Sequence, residues 1–157
     1  MSGGGTPGAR RAHENAEVTE LRVGNYVYGD RRCVTGGTHA LDECALHVVA
    51  TVVSRPTAGR AVLDAGTKTL TSDPVLGRDD GAFGLLLEHP GAVIGSLSEE
   101  HAVVDVSRCA TPPALGERVT ILPNHACGAV NLHDTVALHR GGADVELVAV
   151  AARGCVR

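Results

Sequence analysis

The sequence predicts an all-β domain, folded as a barrel or a sandwich, and three observations lead to that prediction. Short apolar runs rich in valine, leucine and isoleucine follow one another along most of the chain. Nearly every gap between them contains glycine or proline, the residues that tight turns require. The length of 157 residues, of which 43% are hydrophobic, suits a single modest core. Many short strands joined by turns are typical of a closed or nearly closed β structure.

The start of the chain is expected to differ from the rest. Residues 1–17 combine glycine, proline and charge without an apolar period, so they predict a short flexible leader. The ordered domain is then expected to cover residues 18–157. It opens with strand material over 18–30, interrupted at Gly24.

The remaining strands follow at short and fairly regular intervals. They are predicted at 45–54, 60–64, 83–88, 92–97, 101–106, 117–123, 134–140 and 145–152. Turns are predicted at 64–68, 78–84, 88–92, 111–117 and 140–144. The run at 45–54 is expected to stop at Pro56, and a short helical turn around Asp42 and Glu43 is an alternative just before it.

Composition argues against several classes of function. The net charge is −4, and the only aromatic residues are Tyr26, Tyr28 and Phe83, so neither a basic surface nor a stacking platform for bases is expected. We therefore expect no nucleic-acid partner. No apolar run approaches the roughly 20 residues that cross a bilayer, and the N-terminus lacks a secretory signal. The expected compartment is the cytoplasm, without membrane association.

The five cysteines are an odd number and show no tight pairing pattern, which argues against a disulfide framework. Reduced thiols are expected instead, with Cys33, Cys44, Cys109 and Cys155 in structural positions.

The segment "PNHACGAVNLHD", residues 123–134, concentrates the side chains that can bind a metal. If it is a strand, His125 and Cys127 project from the same face and offer an imidazole nitrogen and a thiolate to one ion. No second His/Cys pair is present to close the site, so the site would be open. Two alternatives stand beside this: a buried Cys127 with a hydrogen-bonded His125, or a Cys127 nucleophile activated by a neighbouring histidine.

The end of the same segment has two interpretations. His133 and Asp134 either orient the metal ligands from behind, or form a turn that opens the next strand.

Lys68 is the only lysine in the chain. If this polypeptide alone formed a Schiff base with pyridoxal phosphate, Lys68 would have to carry it. The alternative is a turn lysine whose charge is balanced by Asp64 or Asp73.

A glycine-rich stretch lies at the N-terminus. Backbone N–H groups of Gly3, Gly4, Gly5 and Thr6 are able to bind a phosphate, although the same composition is typical of a disordered tail.

Taken together and in order, "SGGGTP", "DAGTKTLTSD", "PNHACGAVNLHD" and the final "VAARG" resemble the C-terminal part of the D-threonine aldolase and D-serine dehydratase family. That family depends on pyridoxal phosphate and is related in fold to alanine racemase. The resemblance implies a two-domain enzyme, in which an α/β barrel with the Schiff-base lysine precedes a β domain with a divalent-metal site. Residues 1–17 would then be the end of the absent barrel, and residues 18–157 the metal-binding domain.

The resemblance also assigns residues. His125 and Cys127 match the family's metal-binding His-x-Cys, and a thiolate with an imidazole favours zinc. In the complete enzyme the metal would act as a Lewis acid on the β-hydroxyl of a D-hydroxy amino acid. Lys68 does not match the family's Schiff-base position, so pyridoxal phosphate is expected only together with the missing barrel.

Further residues follow from the same resemblance. Gly3, Gly4, Gly5 and Thr6 would lie near the cofactor phosphate. Tyr26 is a candidate catalytic residue, because related racemase-type enzymes place a tyrosine near the cofactor. If 18–30 is a strand, Tyr26 and Tyr28 share one face, which packing explains equally well.

The function expected from the sequence is therefore the metal-binding C-terminal domain of a pyridoxal-phosphate-dependent D-amino-acid lyase. The alternative is a non-catalytic remnant or metal-binding module. A β domain separated from its barrel would expose apolar surface, so a homodimer is a further expectation.

Overall fold

The computed structural model describes residues 1–75, 82–142 and 144–155. Within these ranges it contains ten strands and three short α-helices, joined by 3-10 turns. The strands are β1 (Ser2–Gly3), β2 (Glu20–Leu21), β3 (Val48–Thr57), β4 (Arg60–Leu63), β5 (Leu85–Leu86), β6 (Val93–Leu97), β7 (Ala102–Asp105), β8 (Arg118–Leu122), β9 (Thr135–His139) and β10 (Val145–Ala149). The helices are α1 (Arg31–Thr35), α2 (Thr67–Leu70) and α3 (Ala126–Asn131).

Six of the strands form one antiparallel sheet in the order β5-β8-β3-β4-β7-β6. The two edge strands approach each other, and the Phe83 amide beside β5 donates to the Ile94 carbonyl of β6 at 3.1 Å. The sheet is thus a nearly closed barrel, and the predicted all-β class is confirmed.

The core fills the inside of this barrel with small aliphatic side chains. Alternate residues of each strand point inward, as the two-residue period of a strand requires. On β4, for example, Ala61 and Leu63 are fully buried while Val62 between them is only half-buried. The other fully buried barrel residues are Val52, Leu86, Ile94, Ala102, Val104, Val119, Ile121 and Leu122.

The predicted strands of the barrel are observed with shifted ends, and one predicted stop is wrong. β3 continues past Pro56 to Thr57 instead of ending before the proline. The β3–β4 register is irregular between Ser54 and Thr57, so the ladder does not need an N–H group from Pro56. The predicted turn at 78–84 lies mostly outside the described residues, since 76–81 are not among them.

The N-terminal part of the chain is not built from the predicted strand. Over 18–30 the only strand is β2, which pairs in parallel with β1, and residues Asn25–Val27 form a 3-10 turn. A 3-10 helix has three residues per turn, so residues two positions apart point in different directions. Tyr26 and Tyr28 therefore do not share one face, and that expectation is wrong. Gly29 adopts φ +65°, a left-handed conformation that ends any extended run there.

Within the expected leader, residues Thr6–Glu14 form a 3-10 helix.

β9 and β10 pair with each other as a separate hairpin. Among the helices of the described ranges, none has the length and apolar character needed to span a bilayer.

Candidate metal centre

The structure places His125 and Cys127 at the start of a helix, not on a strand. β8 ends at Leu122 and α3 begins at Ala126, so the argument from one strand face is wrong. His125 is the residue that precedes the helix, with an extended backbone (φ −142°, ψ 104°). Its side chain makes no capping bond to α3, so the ring is free to turn toward other partners.

The ring of His125 is held by a carboxylate from a distant part of the chain. Its Nδ1–H donates to Oδ2 of Asp73 across 2.6 Å, and the two side chains are 30% and 41% exposed. Because a carboxylate only accepts, the hydrogen bond places a proton on Nδ1, so the neutral form of the ring has its lone pair on Nε2, where a metal binds. A metal-binding histidine commonly donates its other ring N–H to a carboxylate in this way.

The loop that carries Asp73 is fixed in place. The Asp73 amide donates to Oγ1 of Thr71 at 3.2 Å, and the Asp73 carbonyl accepts from Nδ2 of Asn124 at 2.9 Å. Thr71 itself has φ +65° and ψ 172°, a conformation that costs about 1–3 kcal/mol in a residue other than glycine. A strained Thr71 so close to Asp73 indicates that the surrounding packing determines the conformation of this loop.

Helix α3 lies directly against that loop. A Cβ on Gly128 would come within 2.8 Å of Cγ2 of Thr71 and 3.2 Å of Oδ2 of Asp73. Only glycine therefore allows the helix to approach the carboxylate this closely.

Asn124, the residue before His125, connects these parts from inside the protein. It is 1% exposed, and besides Asp73 it bonds the Ala82 carbonyl at 2.8 Å. Its Oδ1 accepts from Nη1 of Arg31 at 3.4 Å. Buried polar side chains are stable when their hydrogen bonds are satisfied in this way.

The Cys127 side chain reaches the protein surface. Partial desolvation and the negative charge of Asp30 raise the pKa of its thiol. A raised pKa is the opposite of what an activated nucleophile requires, whereas a bound metal deprotonates a thiol directly.

His133 and Asp134 do not take the orienting role considered for them. Oδ1 of Asp134 pairs with Nε of Arg153 at 3.0 Å and is largely exposed, and Nε2 of His133 lies 3.4 Å from the Thr69 carbonyl. The residue that orients His125 is Asp73, which sequence reasoning considered only as a counter-charge for Lys68. Its position within the "DAGTKTLTSD" motif was the available signal.

Lys68 has partners other than those expected. Its Nζ lies 2.8 Å from carboxylate oxygens of both Glu100 and Glu99, which raise its pKa. Asp64 instead accepts from the Thr51 amide at 2.6 Å. A charged lysine paired with two carboxylates is poorly suited to Schiff-base chemistry.

The glycine-rich start contributes a second polar feature. Gly3 belongs to β1, and Thr6 opens the 3-10 helix. Thr6 is 5% exposed, and its buried Oγ1 has no hydrogen-bond partner within the described residues. It lines an open cavity of about 430 Å³ together with Arg10, Tyr26 and His39.

Across the part of the chain that the structure describes, no three His, Cys, Asp or Glu side chains cluster as a metal site. His125 and Cys127 are therefore a pair of candidate ligands without a third one of these types.

Comparison with known proteins gives the family. The profile described as "Putative serine dehydratase domain" matches residues 45–139, which include the whole barrel and both candidate ligands. D-threonine aldolase from an Arthrobacter species is 33% identical over 162 residues, covering 100% of this chain and 40% of that protein. An uncharacterized protein from Mycobacterium tuberculosis is 41% identical over 130 residues, covering 80% of this chain and 96% of its own length.

Solved structures agree with these sequence matches. D-threo-3-hydroxyaspartate dehydratase from Delftia superposes with a TM-score of 0.78 at 30% identity, covering 92% of this chain and 42% of that one. Variants of that dehydratase have been solved with a histidine replaced by alanine and with a cysteine two positions further replaced by alanine, the latter in a metal-free form. His125 and Cys127 have the same spacing.

The chain spans about 40% of the length of the aldolase and the dehydratase, and it corresponds to their C-terminal part. The family match covers more than half of this chain, and the solved dehydratase has the same fold. The chain therefore belongs to the serine dehydratase domain family.

Proposed function

We propose that this chain is the metal-binding β domain of a pyridoxal-phosphate-dependent D-amino-acid lyase of the dehydratase or aldolase type. His125 and Cys127 hold a divalent metal ion, and zinc is the ion we propose. The observation that carries the proposal is the 2.6 Å hydrogen bond from His125 to Asp73, because it leaves Nε2 for a metal two residues before Cys127 in the chain.

The chemistry of the donors supports zinc. A thiolate and an imidazole are the ligands that zinc prefers, whereas magnesium and calcium prefer oxygen. Two protein ligands leave coordination positions for water, for substrate, or for another part of the complete enzyme. Open positions are characteristic of catalytic zinc sites, since structural sites are closed by four protein ligands.

When bound, the metal would supply Lewis-acid polarisation of the β-hydroxyl of a D-hydroxy amino acid. Other residues of this chain orient the two ligands. Asp73 accepts the hydrogen bond from Nδ1–H of His125 and fixes the plane of the ring. Gly128 and Asn124 keep α3 and the Asp73 loop together, so the two ligands stay in a constant arrangement.

The N-terminal segment fits the phosphate of pyridoxal phosphate. The buried Thr6 hydroxyl has no partner within the described residues, and glycines at 3, 4 and 5 carry no side chain that would keep a phosphate away from their N–H groups. Gly3, Gly4, Gly5 and Thr6 would hold the phosphate, with Tyr26 at the same cavity. The Schiff-base lysine would come from the part of the enzyme that this chain does not span, because Lys68 is occupied by two glutamates.

The compartment we propose is the cytosol. All five cysteines are free thiols in the structure, and reduced thiols persist in a reducing compartment. Cys127 would then remain available to the metal.

A second candidate is a metal-binding module without turnover. It is favoured by the mycobacterial relative, of which this chain covers 96%, because that protein is also about the length of the β domain. Both candidates require the same metal site and differ in catalysis.

Zinc titration tests the site. The purified chain should bind about one zinc ion, more tightly at higher pH, since the Cys127 thiol must lose its proton to become a ligand. His125→Ala should abolish binding, and His133→Ala is the matched control that should not. A wild-type protein that folds but binds no zinc contradicts the assignment, as does full binding by His125→Ala.

Catalysis is tested with pyridoxal phosphate and D-serine. The chain alone should give neither the absorbance of a lysine-bound cofactor nor pyruvate. Pyruvate release by the chain alone would contradict the need for a lysine from another part of the enzyme, and would assign the Schiff base to Lys68. Pyruvate release only after addition of the barrel part of a related enzyme would favour the lyase domain over the module.

A further inference from the structure

Helix α3 lacks a cap from the residue that normally provides one. The first N–H groups of a helix have no partner within the helix, and the preceding residue usually accepts one of them with its side chain. In α3 that residue is His125, whose ring is directed to Asp73 and makes no capping bond. A different group must therefore satisfy the start of the helix.

Asp30 supplies the missing acceptor from 96 residues away. Its Oδ2 accepts the Ala126 amide, the first of α3, at 2.9 Å. The same oxygen accepts from Nδ2 of Asn25 at 2.6 Å, and Oδ1 accepts the Cys33 amide at 2.9 Å as the cap of α1. Asp30 is completely buried, so these bonds are not exchanged for water.

A backbone bond in the opposite direction accompanies this contact. The Arg31 amide donates to the Pro123 carbonyl at 3.0 Å, just before the metal-ligand segment. Residues 30–31 therefore hold the segment 123–126 at both of its ends. His125 lies between these two fixed points, and Cys127 directly follows the second.

We propose that Asp30 is a positioning residue whose buried carboxylate caps α3 in place of His125 and thereby fixes the two metal ligands. Asp30 does not touch the metal in this proposal. Its effect passes through the Ala126 amide, and it allows His125 to serve as a ligand without leaving the helix uncapped. The inference rests on the proposed function, since it assumes that His125 and Cys127 bind a metal.

A carboxylate is the side chain that this position requires. Three N–H donors converge on its two oxygens, and only an ionised carboxylate offers acceptors on both sides. In Asp30→Asn, one NH₂ group would face an N–H donor. In Asp30→Ser, the hydroxyl is still able to cap α1, since serine is a good capping residue, but the second oxygen that reaches Ala126 is missing.

The experiment compares zinc affinity and the spectrum of bound Co²⁺ in the full chain. Asp30→Ser and Asp30→Asn should remain folded by circular dichroism, yet bind zinc about 10- to 100-fold more weakly, the range seen when groups that orient metal ligands are changed. The thiolate-to-cobalt absorption band should weaken or shift, because Cys127 is no longer held. Val104→Ala, in the barrel core on β7, is the control: it should lower stability without changing the affinity or the spectrum.

Each outcome is decisive. If wild type binds neither zinc nor cobalt, the proposed function fails. If wild type binds and a folded Asp30 variant binds with the same affinity and spectrum, this inference fails alone. Should both variants unfold, amide hydrogen exchange of the zinc-loaded wild type decides, since the Ala126 amide must be protected and rapid exchange there would overturn the proposal.

Discussion

Replacing Asp73 by alanine should weaken metal binding much more than it lowers the stability of the fold. The change removes the 2.6 Å hydrogen bond that fixes the tautomer and plane of the His125 ring. We expect zinc affinity to fall about 10- to 100-fold, as for other groups behind metal ligands. At 1.36 kcal/mol per tenfold, this is about 1.4–2.7 kcal/mol of binding free energy.

The stability of the metal-free protein should change much less. The side chains of His125 and Asp73 are 30% and 41% exposed, and a hydrogen-bonded polar pair this exposed contributes only about 0–1 kcal/mol to stability. The loss of binding free energy should therefore exceed the loss of unfolding free energy. The two are measured by zinc titration against a competing chelator and by urea unfolding of the metal-free protein.

Asp134→Ala is the matched control, because Asp134 lies in the ligand segment itself and was the sequence-based candidate for the same role. Its side chain is 81% exposed and pairs with Arg153, so zinc affinity should not change. Equal affinity in wild type and Asp73→Ala would refute the reasoning. So would an Asp134→Ala variant that loses as much affinity as Asp73→Ala.

Two further predictions concern stability. In Gly128→Ala the new Cβ would meet Cγ2 of Thr71 at 2.8 Å, and an overpacking cost of about 1–3 kcal/mol should outweigh the gain of about 1 kcal/mol in helix propensity; a variant more stable than wild type in urea would show that the contact is not rigid. The Ala114 amide and the His89 ring lower the pKa of Glu117 below its ordinary 4.5, so its contribution to stability is present above that pH and is lost as the pH falls through the lowered value. Glu117→Gln should therefore be less stable than wild type at neutral pH, with a difference that closes in acid; a constant difference across urea titrations at several pH values would contradict this.

The sequence by itself determined the all-β class and the identity of the candidate ligands, and left the choice between barrel and sandwich to the structure. Alternation of apolar residues is a local property, so strands such as β4 and β7 were visible without any knowledge of their partners. The pair His125 and Cys127 is likewise local. Their spacing, with the surrounding motifs, was enough to indicate the family that the comparisons show.

Tertiary structure decided the backbone conformation and the orientation of His125 and Cys127. Residues 123–134 carry no period strong enough to choose between strand and helix, and the helix begins where Asp30 accepts the Ala126 amide. The group that orients His125 is Asp73, 52 residues earlier in the chain. Both carboxylates are ordinary aspartates in the sequence, because hydrogen bonds between distant segments depend on how the chain folds and leave no mark on local spacing.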